Sequence, residues 1–302
     1  MEKEQCLVTV GVVTYNSSKY VIETLNSIYN QTYEMIELIV SDDGSKDNTV
    51  EIVNNWVDIH SARFVHARVL TVANNTGTSS NMNRIINASN GTWLKFIAGD
   101  DVLLPDGIKK VMDYVYDKNE INWLFAKSIF YKNIISDDNI IKEELTRYDA
   151  EIYKQTASIQ YKRMMVGNPF VGPGHFFKAE LLKDVNGFDE EFGILEDYPM
   201  WLKLLGKGER CFFFDEFVAG YRLADSNVCA NNQRIVNKKL AILLYAAKKK
   251  YLFGKTSKKI EWHARFRYAT DMLFSTPILN KQSPKRLALY NFACKLNTRL
   301  LH

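Results

Sequence analysis

Two pairs of adjacent carboxylates, Asp42-Asp43 and Asp100-Asp101, each follow an apolar run in this chain, and a third acidic pair, Glu196-Asp197, opens an amphipathic stretch. Neighbouring carboxylates at one rim repel each other unless a cation or hydrogen-bond donors hold them. A divalent ion bridging a substrate diphosphate would do so, because Mg²⁺ and Mn²⁺ take one or two oxygens from protein and the rest from phosphate and water. A plainer reading of Asp100-Asp101 is a helix cap ahead of Pro105. Asp42-Asp43-Gly44 also reads as a turn, and Glu196-Asp197 as first-turn acids favoured by the helix dipole. Near the first pair in the expected fold lies Thr14-Tyr15-Asn16, whose ring can stack on a nucleobase while a carboxylate accepts the imino proton of the base.

The pattern around these residues places them on one rim. Leu7–Thr14 is apolar and β-branched, as in a strand buried on both faces, and Ser17 or Ser18 can cap a helix carrying Val21, Ile22, Leu25, Ile28 and Tyr29. Ile36–Val40 repeats the strand pattern and leads into a helix with Val50, Ile52, Val53 and Val57. A third unit runs from Arg63–Thr71 through Asn75-x-Gly77 to Ile85 and Ile86, and Thr92–Ala98 is a fourth strand before Gly99-Asp100-Asp101. Serial strand–helix units predict an α/β fold with a mostly parallel, doubly wound sheet, whose ligand crevice lies beyond the carboxyl ends of its strands. A strand at Trp123–Tyr131, helices at Ala157–Met165 and Leu195–Leu205, and strands at Cys211–Phe214 and Phe217–Leu223 follow. After Asn231 the pattern is helical, broken at Gly254, Pro277 and Pro284 into three segments.

With 302 residues, 46% of them hydrophobic, the chain can bury a large core, which excludes a disordered class. Its four cysteines lack C-x-x-C spacing, so neither a zinc site nor a disulfide framework is indicated. The N-terminus lacks signal-peptide organisation, and the reading is cytoplasmic. The net charge of +4 hides a division: residues 231–302 hold sixteen Lys and Arg against Glu261 and Asp271, an excess of 14, which leaves −10 on residues 1–230. That boundary separates a catalytic body, 1–230, from a basic helical C-terminal extension, 231–302. Segments such as Lys248–Phe253 and Trp262–Phe274 mix cations with aromatic and aliphatic residues, either an interfacial helix on an anionic membrane or a solvated face. Nucleic acid is disfavoured by the acidic body and the lack of a matching motif.

Taken in order, Val12-Val13-Thr14-Tyr15-Asn16, Val40-Ser41-Asp42-Asp43-Gly44-Ser45-x-Asp47, Asn75-x-Gly77 with Asn83, Gly99-Asp100-Asp101 with Pro105, Val185–Glu190 and Glu196-Asp197 resemble the signature of family 2 glycosyltransferases. The resemblance covers about residues 5 to 225 and implies the GT-A fold, a Rossmann-like sheet, in an inverting hexosyltransferase of the bacterial polysaccharide or O-antigen type. It implies that Val13, Thr14, Tyr15, Asn83 and Asp43 contact the nucleotide, Asp43 at the uracil ring, and that Asp100 approaches the ribose. Asp101 would bind Mn²⁺ or Mg²⁺ across the diphosphate, and Asp197 would be the general base on the acceptor hydroxyl, with Glu196 beside it. A UDP-sugar donor is expected, though dTDP satisfies the same imino contact, and the acceptor is expected to be a saccharide, lipid-linked at the inner face of the membrane. His175 is a structural residue or an acceptor or metal contact; Trp201 is a sugar platform or core. The chain departs from the family where Tyr221-Arg222-Leu223-Ala224 replaces Tyr-Arg-x-His, with Asp225 or Arg222 as substitutes, and where Met82 replaces a basic residue close to Arg84. An inactive nucleotide-sugar or glycan-binding module on the same fold is the alternative.

Overall fold

The computed structural model describes residues 5–142, 150–164, 167–170, 172–223, 234–281 and 283–299. Four parallel strands form its first half: β1 (Val8–Thr14), β2 (Ile36–Asp42), β3 (His66–Thr71) and β4 (Trp93–Ala98). They are ordered β3-β2-β1-β4 and joined by helices α1 (Val21–Tyr29), α2 (Thr49–His60) and α3 (Thr78–Ala88). Alternation along the strands splits the core into two layers. Val8, Val10 and Val12 of β1 meet Leu25 and Ile28 of α1 and Val53 and Trp56 of α2 on one face. On the other, Leu94 and Phe96 of β4 meet Met82, Ile85 and Ile86 of α3. Each fully buried aliphatic side chain contributes about 1.5–3 kcal/mol, which outweighs weak helix starts such as α1. No side chain caps α1; the Ser17 carbonyl accepts from Tyr20 and Val21, so the Ser17/Ser18 cap gives way to a backbone turn.

The second half departs from a purely parallel sheet. β5 (Val102–Leu103), β6 (Trp123–Lys132), β7 (His175–Lys178) and β8 (Phe212–Leu223) extend the order to β3-β2-β1-β4-β7-β6-β8-β5, with β7 antiparallel to both neighbours. The two predicted strands at 211–223 are one, β8, which absorbs its irregularity as a bulge opposite Lys127. Helix α4 (Gly107–Val115) follows β5; α5 (Ala150–Lys154), α6 (Ala157–Met164), α7 (Ala179–Asp184) and α8 (Asp197–Gly206) cover the β7–β6 region. The basic extension forms three helices, α9 (Lys238–Tyr251), α10 (Lys258–Phe274) and α11 (Pro284–Arg299), divided where Gly254, Pro277 and Pro284 predict.

The Lys248–Phe253 segment is not an interfacial surface. Ala247 and Leu252 are buried in the α3–α8 core layer, and Lys250 pairs with Asp189 at 2.7 Å and Glu191 at 2.9 Å. The exposed apolar residues lie further on: Trp262, Leu273, Ile278, Leu289 and Phe292. Among the described residues no helix is long and apolar enough to cross a membrane.

Candidate active site

The carboxyl ends of β1, β2 and β4 deliver their polar residues to one rim. After β1, Asn16 adopts a left-handed backbone (φ 52°) and its side-chain oxygen accepts from the Lys46 N–H at 2.8 Å, while its own N–H donates to Ser45 Oγ at 2.7 Å. Asp42 organises the β2 loop: its Oδ1 accepts from the Gly44 and Ser45 N–H groups and its Oδ2 from the Thr14 hydroxyl at 2.8 Å. Such an Asx turn is a structural use of the first carboxylate. Asp43 faces the next loop, accepting from Thr76 Oγ1 at 2.6 Å, Gly77 N at 2.7 Å and Arg84 Nη2 at 2.7 Å. Burial alone would raise its pKa, but these donors reverse that and hold it below the ordinary carboxylate range.

Asp100 and Asp101 form the turn between β4 and β5. Neither caps α4, which starts at Gly107 without a side-chain cap. Instead the turn is gripped by β8: the Arg222 N–H donates to Asp101 Oδ1 at 2.9 Å and its Nε to the Asp100 carbonyl at 2.8 Å. The guanidinium also reaches the Asn133 carbonyl at 2.7 Å and the Glu23 carboxylate, and lies 4.2 Å from the Tyr20 ring centroid. Asp101 is only 2% exposed. Its pKa is pushed well up by burial and then by the Asp100 charge, against the opposing pull of the Arg222 N–H, Lys95 and the Arg222 cation. A carboxylate pair so strained by its own charge suits a divalent cation. Among the described residues no cluster of three or more His, Cys, Asp or Glu encloses a metal. Asp100 and Asp101 offer one or two carboxylate oxygens, which suits an ion that completes its shell from a diphosphate and water.

Across from Asp101, Glu196 and Asp197 enter the same cleft, of about 500 Å³, at the start of α8; Val13 and Asn168 also line it. Asp197 stands in the first turn of α8, where the helix dipole favours a negative charge, and neither acid makes a side-chain cap to the helix. Burial raises both pKa values, Glu196 further through the Asp197 charge. A larger open groove of about 960 Å³ lies at the amino ends of the strands, around Cys6, Met35 and Trp93, away from every acidic pair. Chemistry belongs with the smaller cleft, since crevices at strand carboxyl ends are where α/β sheets bind ligands.

Comparison with known proteins agrees with this geometry. The family model described as glycosyl transferase family 2 matches residues 9–167. This chain belongs to that family. A putative teichuronic acid biosynthesis glycosyltransferase of Bacillus subtilis is 24% identical over 77% of this chain and 85% of its own. The Escherichia coli chondroitin synthase is 28% identical over 66% of this chain, which spans only 26% of that protein. Among solved structures, S. aureus TarS 1–349 in complex with UDP-GlcNAc superposes with TM-score 0.65 at 18% identity, covering 98% of this chain and 82% of that one. The mannosyltransferase PcManGT from Pyrobaculum calidifontis in complex with GDP-Man and Mn²⁺ gives TM-score 0.64 at 17% identity, covering 99% and 86%. The fold is therefore GT-A, as the sequence predicts, and the chain is a glycosyltransferase.

Within this family 2 enzyme the predicted residues divide. Val13, Asp101, Glu196, Asp197, His175 and Trp201 line one cleft, with Tyr15 exposed at 48% on the adjoining β1 rim. Thr14 is buried and tied to Asp42. Asn83 does not line the cleft: its amide donates to the Phe188 carbonyl at 2.9 Å and accepts from the Phe188 N–H at 2.7 Å. The predicted nucleotide contact is thus a clamp on the Asn186–Asp189 turn, where Gly187 (φ 62°) has no room for a Cβ against Asn83. His175 is a core residue. The Trp123 indole N–H donates to its Nδ1 at 3.1 Å, the ring packs on Trp201 at 4.2 Å, and burial, then Lys95, pushes its pKa well below the ordinary value. Trp201 is 2% exposed and donates to the Phe170 carbonyl at 3.2 Å, so it is core with one edge on the cleft.

Met82 packs in the core, and Arg84 goes to Asp43 rather than to open space. Ala224 and Asp225 lie outside the described residues. Sequence reasoning missed Lys95, buried in mid-β4, whose ammonium donates to the Pro173 carbonyl and lies 3.5 Å from the His175 carbonyl. Burial lowers its pKa to about 7. Its signal was a lysine inside a strand buried on both faces, a position that charges avoid unless paired.

Proposed function

We propose that the enzyme transfers a sugar with inversion from a nucleotide sugar, a UDP-sugar in preference, to a saccharide acceptor in cell-surface polysaccharide synthesis. The observation that carries this is the single cleft shared by Asp101 and the Glu196-Asp197 pair. Asp43, with Tyr15 on the same rim, would read the base, and Asp100 would meet the ribose. Asp101 would hold Mn²⁺ or Mg²⁺, which when bound neutralises the charge growing on the departing diphosphate. Asp197 would take the proton of the acceptor hydroxyl as that oxygen attacks the anomeric carbon; its raised proton affinity brings it toward the near-neutral range where a base works best. Glu196 would share the proton and orient Asp197.

Two neighbours whose structures hold UDP-GlcNAc or GDP-Man with Mn²⁺ support a nucleotide-sugar donor and a metal. Residues 231–302 would carry the enzyme to the inner face of an anionic membrane and a lipid-linked acceptor, supported by their charge and by exposed Trp262, Leu289 and Phe292. A screen of nucleotide sugars for metal-dependent hydrolysis tests the donor. With the productive sugar, Asp197→Asn is expected to keep nucleotide affinity and lose about 10²-fold or more in turnover. Near-normal turnover would exclude it as the base, and binding of a nucleotide sugar with no hydrolysis or transfer of any would leave the binding-module alternative.

A further inference from the structure

Helix α3 reaches both sides of the active site through two adjacent side chains. Arg84 donates to the Asp43 carboxylate at 2.7 Å, on the nucleotide rim. Asn83 donates to the Phe188 carbonyl at 2.9 Å and to Glu190 Oε1 at 2.8 Å, and accepts from the Phe188 N–H at 2.7 Å. A carboxamide has two N–H donors, and both are spent on this segment. By meeting the N–H and the C=O of one residue, Asn83 pairs with Phe188 as a residue of a neighbouring strand would. Phe188 is 2% exposed, and among the described residues its main-chain groups have no other hydrogen-bond partner. Buried main-chain groups are costly to leave unpaired, so the contact fixes the backbone as well as the ring. The turn before it is built around the same side chain: Asn186 (φ 56°) and Gly187 (φ 62°) are both left-handed, and a Cβ on Gly187 would meet Asn83 Oδ1 at 2.3 Å.

From Phe188 the chain runs to Asp197 through a single 3₁₀ turn at Glu190–Phe192 and the left-handed Gly193 (φ 57°). Helix α8 then starts without a side-chain cap, so its first residues are placed by what precedes them. Lys203 of α8 donates to the Gly187 carbonyl at 2.5 Å, and Lys250 of α9 pairs with Asp189. Both ties come from the Asp197 side of the cleft. Asn83 comes from the nucleotide side, and among the described residues it makes every hydrogen bond between α3 and the stretch 186–197. The Phe188 ring also packs edge to face on Phe96 of β4, with centroids 5.6 Å apart. Apolar burial is not directional, whereas a paired N–H and C=O fix the heading of the chain. We propose that Asn83 is a positioning residue for glycosyl transfer: by holding Phe188 to α3 it sets where α8 begins, and so where Asp197 stands relative to Asp101 and the nucleotide rim. The inference rests on the reading of Asp197 as the general base.

The test compares the full chain with Asn83→Ala, Asn83→Asp, Asn83→Asp combined with Glu190→Gln, and Asp197→Asn. In calorimetry with UDP and Mg²⁺ the Asn83 variants should bind as the wild type does. Amide hydrogen exchange in Asn83→Ala should speed about tenfold or more at Leu195 and Met200, whose N–H groups bond to Phe192 and Glu196 and never to Asn83. Hydrolysis of UDP-glucose or UDP-N-acetylglucosamine, whichever is turned over, should fall about 10- to 10²-fold in kcat with donor KM unchanged. Asn83→Asp should fall as far, because its carboxylate faces Glu190, and adding Glu190→Gln should restore part of the loss by supplying a donor from the other side. The two chains with Asn83→Asp keep an acceptor for the Phe188 N–H and carry the comparison if Asn83→Ala does not fold. Unchanged exchange at Leu195 and Met200, or a wild-type kcat, would overturn the positioning role, as would weakened UDP binding, which would make Asn83 a nucleotide contact. Near-normal turnover in Asp197→Asn would sink the base assignment alone, and the exchange result would still decide whether Asn83 places α8.

Discussion

Replacing Arg222 with Met keeps most of the side-chain volume and removes its guanidinium. Among the described residues three partners then lose a donor: the Asp100 carbonyl, the Asn133 carbonyl and the Glu23 carboxylate. Hydrogen bonds from a charged group are worth about 1.5–3 kcal/mol each, and the two carbonyl bonds lie in a region where Arg222 itself is 1% exposed. The Glu23 side chain is 44% exposed and can rehydrate, so its share is discounted to roughly 0–1 kcal/mol. The sum is about 3–7 kcal/mol, a drop in Tm of roughly 6–28 °C at about 2–4 °C per kcal/mol. Arg222→Lys should recover little, because a point charge cannot span three partners in one plane. Urea unfolding of the wild type, both variants and Glu23→Gln checks this. A loss under about 1 kcal/mol for Arg222→Met, or a Glu23→Gln loss equal to it, would refute the claim that the guanidinium holds the Asp100-Asp101 turn.

Turnover should rise with pH through about 7 as Asp197 loses its proton, and Asp197→Asn should flatten that limb in a kcat/KM profile. Stability should run the other way. Asp197 binds its proton up to about 7 in the folded state, against an ordinary value of 3.8 when unfolded, and Glu196 up to about 8 against 4.5. The folded chain therefore holds more protons between about pH 4 and 8, and stability falls as pH rises through that window; urea midpoints in Asp197→Asn should show a shallower fall. Asp101→Ala should remove the metal dependence of UDP binding in calorimetry, and an unchanged Mn²⁺ requirement would sink its assignment. Leu289→Ser with Phe292→Ser should weaken flotation of the full chain on anionic vesicles, and equal flotation would remove α11 from any membrane contact. These two side chains, 56% and 61% exposed, can change without disturbing the core.

The parallel half was legible because its physics is local. Strands buried on both faces, such as Val8–Thr14, read as continuous apolar runs, and the polar residue that ends each one marks the rim. The second half was less so. β7 is only four residues long, and its antiparallel place between β4 and β6 is fixed by long-range packing of Phe176 and Phe177 that no short window records. In the site, residue types were readable but their partners were not. Asp42 and Asp43 look alike in sequence, yet the Thr14 hydroxyl and turn amides claim one while Arg84 and the Thr76–Gly77 amides claim the other. Asn83 looks free to meet a ligand until Phe188, far away in sequence, occupies both ends of its amide.

The charge division at residue 231 shows the same limit from the other side. Counting charges treats α9 and α11 as one basic tail, but burial separates them. Helix α9 places Leu240 and Leu244 on the cleft wall, and through Lys250 and Tyr251 it fastens Asp189, a few residues before Glu196. Exposed ion pairs of this kind are individually worth about 0–1 kcal/mol, so the fastening depends more on the buried Ala247 and Leu252 beside it than on charge. It follows that a chain cut near residue 230 would lose part of the active-site wall as well as any membrane surface. Only changes confined to the outer face of α10 and α11 leave the cleft untouched, because Leu240 and Leu244 belong to the cleft wall rather than to the tail in which the sequence places them.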